Sequence, residues 1–268
     1  MPALLAELRF RPTKIATCNF MSQRFFVETP ITGHTATLIE AEAHHLLHVM
    51  RAKAGTEVIL FDGTGCEFTA KVGKLGRQTI ELAVLHRAEV SRELARPVTL
   101  AVALPKGDRQ KWLVEKATEL GVTRLIPLKT ERGVAQPVDQ AIVRLRRSVI
   151  EASKQCGRNV LMEITEPVAW PVLGAREEAQ GRMRVIAHPG SESLNKVGVP
   201  GWQAQRSPQS EFAGGMIAAV GPEGGFSPAE VELAQSNNWQ CIGLGQSILR
   251  VETAALAIAA WAALEFKL

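Results

Sequence analysis

Cysteine is scarce in this chain and never clustered. Cys18, Cys66, Cys156 and Cys241 are scattered, with no C-x-x-C pair, which argues against a zinc site or a disulfide framework and fits a reducing cytoplasm. No apolar run reaches the roughly 18 residues that a membrane-spanning helix needs. The stretch from Ala254 to Leu264, apolar nearly all round, reads as a buried helix. Residues 1–20 are basic, with Glu7 the one acid, but they lack the central apolar block of a secretory signal. They read as an N-terminal extension, disordered or produced by a misassigned start, with Met21-Ser-Gln-Arg-Phe-Phe as a natural beginning. Acidic charge is in slight deficit: 31 Lys and Arg against 27 Asp and Glu leave a net charge of +4, a mild lean toward polyanionic partners.

What is present is enough for a full core. The 268 residues are 46% hydrophobic and 22% charged, ordinary for one or two globular domains. From Arg24 to about Arg92, short β-type runs alternate with turns. Val58 to Phe61 leads into Asp62-Gly63, Cys66 to Val72 alternates apolar and polar, Gly73 to Gly76 reads as a turn, and Thr79 to Val84 is a further strand. One helix, about Glu40 to Ala52, interrupts them, giving a small β-barrel domain. From Pro97 the pattern becomes strand, helix, strand. Val98–Leu104, Val122–Leu128, Met183–Ala187, Met216–Val220 and Trp239–Leu244 are apolar strands. Asp108 is placed to N-cap a helix with Trp112, Leu113, Lys116, Ala117 and Leu120 at helical spacing and Gly121 at its end. A second helix carries Val138, Ile142, Leu145, Val149, Ala152 and Cys156 on one face, and Ser227-Pro-Ala-Glu230 has the form of a capping box. Val251 to Phe266 reads as the last helix, and 191–214 as a long surface loop. Such alternation predicts an α/β unit with a parallel sheet, whose ligands bind beyond the carboxyl ends of the strands. The loops at Pro105–Asp108, His188–Gly190, Gly221–Ser227 and Gly245–Arg250 all follow strands and can converge there.

Gly221-Pro-Glu-Gly-Gly-Phe-Ser227 and Leu244-Gly-Gln-Ser-Ile-Leu-Arg-Val-Glu-Thr-Ala254 carry most of the chemical signal. Two glycine-bearing loops suit a small ligand held by backbone groups, because glycine permits close approach and positive φ; two structural turns are the plain alternative. The first loop lacks the Lys-Ser/Thr ending of a P-loop. Gly243-Leu-Gly245-Gln-Ser-Ile248 resembles a dinucleotide fingerprint, but isoleucine replaces the third glycine and too little chain follows for the next strand. His44 and His48 stand one helical turn apart, a metal-compatible spacing without a third ligand. Arg144, Arg147, Glu151 and Lys154, with Arg158 beyond, form either a solvated helix face or a phosphate-binding one. Arg250 and Glu252 at the start of the last helix form either a structural ion pair or catalytic groups.

Several segments, in order, resemble one family, the SPOUT-type 16S ribosomal RNA methyltransferases called RsmE. They are Arg24-Phe-Phe, His48-Val-Met-Arg51, Val114-Glu-Lys-Ala-Thr-Glu-Leu-Gly121, Glu131-Arg132, Glu151-Ala-Ser-Lys-Gln-Cys-Gly-Arg158 and the two glycine loops. The resemblance runs from Met21 to the C-terminus, with Ser247 where the family commonly has arginine and Gly133 where serine or cysteine is common. It implies a PUA-like RNA-binding domain at 21–92 and a SPOUT domain with a deep trefoil knot at 96–268. It implies a cytoplasmic homodimer that needs no metal and transfers a methyl group from S-adenosylmethionine to N3 of uridine 1498 of 16S rRNA. On that resemblance the cofactor lies against His188, Gly221, Glu223, Gly224, Leu244, Gly245, Ile248, Leu249 and Arg250. Arg250 then stabilises the uracil anion, Glu223 or Glu252 orients it or relays the proton, and Arg24, Arg51 and Arg158 meet RNA phosphates. A SPOUT enzyme with another RNA target and a non-catalytic RNA-binding protein of the same fold are the alternatives.

Overall fold

The computed structural model describes residues 23–76, 78–133, 139–175, 181–193 and 214–266. The expected extension at 1–20, Val138 and most of the loop at 191–214 lie outside the described residues.

The first unit is a five-stranded sheet in the order β1-β3-β4-β5-β2. Its strands are β1 (Arg24–Phe26), β2 (Thr35–Ile39), β3 (Glu57–Phe61), β4 (Cys66–Leu75) and β5 (Thr79–Glu89). β1 pairs with β3 in parallel and the other ladders are antiparallel. Alternation does the sorting: Cys66, Phe68, Ala70 and Val72 of β4 are buried, while their neighbours are not. Register shifts at Thr69/Ala70 and Val72/Leu75 bend β4, as bulges do, and the strands enclose a core of Phe25, Leu38, Leu60, Phe68, Ile80 and Leu82. The turn expected at Gly73–Gly76 falls later, because β4 continues through Leu75. Helix α1 (Glu40–His44) passes directly into a π-helical turn at His45–Val49, so the predicted helix is present but changes its winding.

The second unit is a parallel sheet in the order β12-β10-β11-β6-β7-β8, with β9 on β7. Its strands are β6 (Val98–Val102), β7 (Arg124–Lys129), β8 (Glu163–Ile164), β9 (Val168–Ala169), β10 (Met183–Ala187), β11 (Met216–Val220) and β12 (Gln240–Ile242). The helices are α2 (Arg109–Glu119), α3 (Asp139–Cys156), α4 (Trp170–Gly174), α5 (Pro228–Ser236) and α6 (Val251–Glu265). Both faces are covered. Val98, Leu100 and Val102 of β6 and Met216, Ala218 and Val220 of β11 pack with α2, α3 and α6. Ala101, Ile217 and Ala219 face the other way, onto Trp170, Leu173, Phe226 and Ala234. Burial on two faces is why these strands read as continuous apolar runs. On α2 the buried face is Leu113, Val114, Ala117 and Thr118, whereas Trp112 is exposed. Asp108 precedes α2 without a side-chain cap, its backbone already helical (φ −64°). Ser227 and Glu230 close a complete capping box on α5.

Buried ionic contacts join the units. Arg24 donates to Glu67 at 2.5 Å and to Asn159 Oδ1 at 2.7 Å, and its guanidinium lies over the Phe61 ring. Arg92 donates to the same Glu67 carboxylate at 2.6 Å and to the Gly157 carbonyl at 2.8 Å. Lys154 of α3 reaches Glu42 at 2.7 Å, and Arg158 binds both oxygens of Glu93.

Candidate functional site

Three neighbouring strands, β10, β11 and β12, run in parallel and end at the same edge. The loops that follow them, His188–Gly190, Gly221–Phe226 and Leu244–Leu249, line one cavity of about 340 Å3. That size falls at the lower end of small-molecule pockets. Its floor is apolar (Ala187, Val220, Ile242, Val251 and Ala254) and its rim is largely backbone and glycine. The position matches the rule for open α/β sheets, beyond the strand ends where the strand order turns back.

Two glycines explain how the loops come so near one another. A Cβ on Gly243 would collide with the Ser191 carbonyl oxygen, because the chain after β10 crosses there; Gly243 N donates to Glu192 O at 2.6 Å. Gly245 has φ +122°, a backbone region that side chains disfavour, with open space around it. The Gly221–Phe226 loop is anchored from three sides. Phe226 packs against Trp170 in a tilted ring contact with centroids 5.1 Å apart. Buried Glu230 accepts from Ser227 N and from Glu131 N, each at 2.9 Å. Arg132 donates to the Gly224 carbonyl at 2.9 Å.

Eight of the nine residues expected around the cofactor line the cavity: His188, Gly221, Glu223, Gly224, Leu244, Gly245, Ile248 and Leu249. Arg250 does not. It is exposed at the N-cap of α6, between the lining residues Leu249 and Val251, and its side chain bonds to no described residue. The ion pair considered between Arg250 and Glu252 is also absent. Glu252 is buried and its partner is Arg109, at 3.5 Å; the same guanidinium reaches Glu223 at 3.4 Å. Of the two candidate carboxylates, therefore, only Glu223 faces the cavity.

The expected phosphate contacts divide. Arg24 and Arg158 are 6% and 3% exposed: Arg24 bonds Glu67 and Asn159, with no partner for its Nε among the described residues, and Arg158 bonds Glu93 and the Thr118 and Val122 carbonyls. Turning either to a phosphate would break these contacts, and for Arg158 would leave Glu93 without its counter-charge, so both sit within the fold rather than on an exposed RNA-facing surface. Lys154 is likewise turned inward. Arg51 is exposed and has φ +51°, and Arg144 and Arg147 are exposed on α3. His44 and His48 lie in a tilted ring contact with centroids 4.6 Å apart, and no group of three His, Cys, Asp or Glu able to hold a metal occurs among the described residues. Nor is any described helix long and apolar enough to cross a membrane. Sequence reasoning passed over Arg109 and Arg132 as site residues. Arg109 carries no mark in its local spacing and Arg132 stands out only within the Glu131-Arg132 match, since the significance of both lies in contacts more than ninety residues away.

Residues 92–263 match the family model described as an RNA methyltransferase domain, and residues 38–85 match an RNA methyltransferase PUA domain. The chain is similar to the ribosomal RNA small subunit methyltransferase E of Synechocystis sp., at 33% identity over 82% of this chain and 70% of that protein. It is similar to the protein of the same name in Bacillus subtilis at 28% identity, over 87% and 93%. Among solved structures it resembles a ribosomal RNA small subunit methyltransferase E from Neisseria gonorrhoeae bound to S-adenosyl methionine. That likeness has TM-score 0.77 and 28% identity and covers 89% of this chain and 95% of the other. With its PUA-like first unit, its parallel-sheet second unit and a cavity at the ends of β10, β11 and β12, this chain belongs to the RsmE family of small-subunit ribosomal RNA methyltransferases, within the SPOUT superfamily.

Proposed function

We propose that this protein methylates N3 of a uridine in 16S rRNA, uridine 1498, with S-adenosylmethionine as methyl donor. The observation that carries the reading is the cavity itself. It combines an apolar floor suited to an adenine ring with a glycine-rich rim whose backbone groups suit a polar, bent ligand, and the Neisseria relative is bound to S-adenosyl methionine. The fit rests on this chain's own shape: Gly245, at φ +122°, has nothing within 4 Å of where a Cβ would stand, so a ligand can approach its backbone.

In this reading, backbone groups of Gly221, Glu223, Gly224, Leu244, Gly245, Ile248 and Leu249 hold the cofactor, with His188 at its side. The bound cofactor supplies a methyl group already activated on a sulfonium. The protein's share is positioning and proton removal. Glu223, on the cavity wall and open to solvent, takes the N3 proton and passes it to water. Arg109 ties Glu223 to Glu252 and so fixes the first loop against the start of α6. The target base leaves its stack to reach the cavity, while Arg51, Arg144 and Arg147 meet the RNA backbone. The protein carries its RNA-binding domain at 21–92 and its methyltransferase domain, with a deep trefoil knot, at 96–268, acts as a homodimer and works in the cytoplasm.

The test is methyl transfer from labelled S-adenosylmethionine to small ribosomal subunits lacking the modification, with the product nucleoside identified by mass spectrometry. The expected product is 3-methyluridine. Cofactor binding with no label in any ribosomal RNA would overturn the reading.

A further inference from the structure

Three ionisable side chains line the cavity among the described residues: Arg132, His188 and Glu223. Arg132 is the one arginine of the three, and the established fold delivers it in an unusual way. It follows β7, two strands away from β11, yet it meets the loop after β11. The buried Glu230 carboxylate makes that reach possible. One oxygen accepts from Glu131 N while the other holds Ser227 N, so the residue before Arg132 is clamped to the end of the glycine loop. Arg132 then lies along Gly224, where a Cβ would touch its aliphatic chain at 3.5 and 3.6 Å. Its Nη1 donates to the Gly224 carbonyl, and the other N–H groups of the guanidinium have no partner among the described residues. The result is a fixed, permanently protonated fork with spare donors, exposed on the wall of the pocket.

We propose that Arg132 is a catalytic residue, the cation that pairs with the uracil carbonyl oxygens as N3 loses its proton. The inference rests on the reaction proposed above. Uracil N3 is a weak acid, and its conjugate base spreads negative charge onto the two flanking carbonyl oxygens. The N3 proton goes to Glu223. The N3 lone pair then forms the new bond to the methyl carbon as the carbon–sulfur bond breaks, leaving its electron pair on sulfur. Arg132 neither gives nor takes a proton in this sequence. It supplies fixed positive charge where negative charge develops. The other arginines nearby are placed differently: Arg109 is committed to Glu223 and Glu252, and Arg250 lies outside the lining.

The experiment compares the full-length protein with Arg132→Ala, Arg132→Lys and Arg250→Ala, using small subunits that lack the methyl group. It measures kcat and KM across pH 6 to 9, and cofactor affinity by calorimetry. Arg132→Ala is expected to lower kcat on the order of 10²- to 10³-fold and to leave cofactor affinity unchanged. Its residual rate climbs with pH further into the alkaline range than the wild type's, because the base must now ionise unaided. Added guanidinium restores part of the rate, and Arg132→Lys, a point charge without the fork, falls between the two. The proposal is overturned if Arg132→Ala keeps its kcat. It is also overturned if the loss follows weakened cofactor binding alone, or if the alkaline shift belongs to Arg250→Ala instead. Wild-type protein that forms 3-methyluridine alongside a fully active Arg132→Ala variant removes this inference alone. Wild-type protein that forms none removes the underlying reaction as well.

Discussion

Replacing Arg158 by alanine tests whether this arginine belongs to the fold or to an RNA surface. The guanidinium is 3% exposed and makes four hydrogen bonds: two to the Glu93 carboxylate, one to the Thr118 carbonyl at 3.0 Å and one to the Val122 carbonyl at 2.8 Å. Removing it strands the Val122 carbonyl, worth about 1 kcal/mol of lost bonding, leaves the Thr118 carbonyl with Gly121 N alone at 3.1 Å, and takes from Glu93 its counter-charge. Breaking a fully buried pair costs about 3–5 kcal/mol. The Glu93 side chain keeps 18% of its surface in contact with solvent, so the lower end applies, about 3 kcal/mol. Glu93→Gln removes the charge but keeps an acceptor, and is expected to cost less. Urea denaturation followed by tryptophan fluorescence reads the result, because buried Trp170 and Trp239 sit in the core of the second unit. The midpoint falls and the slope stays constant if stability alone has changed. The double variant completes a cycle whose coupling isolates the pair. A loss below about 1 kcal/mol would refute the reasoning, as would a reduced salt dependence of RNA binding in a variant of unchanged stability.

Glu67 sets an acid limit. Burial pushes its carboxyl up, but hydrogen bonds from Arg92 and Arg24, with their charges, outweigh this and hold it below the ordinary value of 4.5. A carboxyl depressed in the fold stabilises it above the unfolded value, and that contribution is lost as pH falls through the folded value. Unfolding free energy should therefore decline below about pH 4.5, and Glu67→Gln should show a shallower decline in the same titration. Gly243→Ala and Gly245→Ala separate two uses of glycine. The first meets the Ser191 carbonyl and is expected to destabilise the fold and abolish cofactor binding, as thermal melts and calorimetry would show. The second meets open space and is expected to weaken binding through backbone strain of about 1–3 kcal/mol. Ser227→Ala removes the capping box of α5 and should cost about 1 kcal/mol in urea denaturation.

The second sheet was legible because its strands are apolar on both sides, a pattern that survives without tertiary context: Val98–Val102 and Met216–Val220 are buried at every position. The glycine loops were legible for a related reason, since backbone demands leave a local mark. The charged residues were not. Arg24 and Arg158 read as surface groups because charged side chains are rarely buried unless paired, and their partners Glu67 and Glu93 lie on separate segments. Arg109 and Arg132 escaped for the same reason, being defined by loops that only the folded chain brings near. β8 and β9, two residues each, are too short to leave a periodic signal, and the π-helical turn after α1 differs from an α-helix in winding rather than in composition.

The cavity takes its walls from residues spread between Arg132 and Ala254, and α6 supplies the last of them. Chains leave the ribosome N-terminus first, and domains settle in that order. The first sheet is complete by Glu89 and can assemble while the remainder is still being translated. The ligand site cannot, because its third loop and the helix beneath it follow its other walls in chain order. A chain cut short before α6 lacks Val251 and Ala254, two residues of the apolar floor. The floor of the pocket is therefore completed only when a single helix docks beneath loops already made.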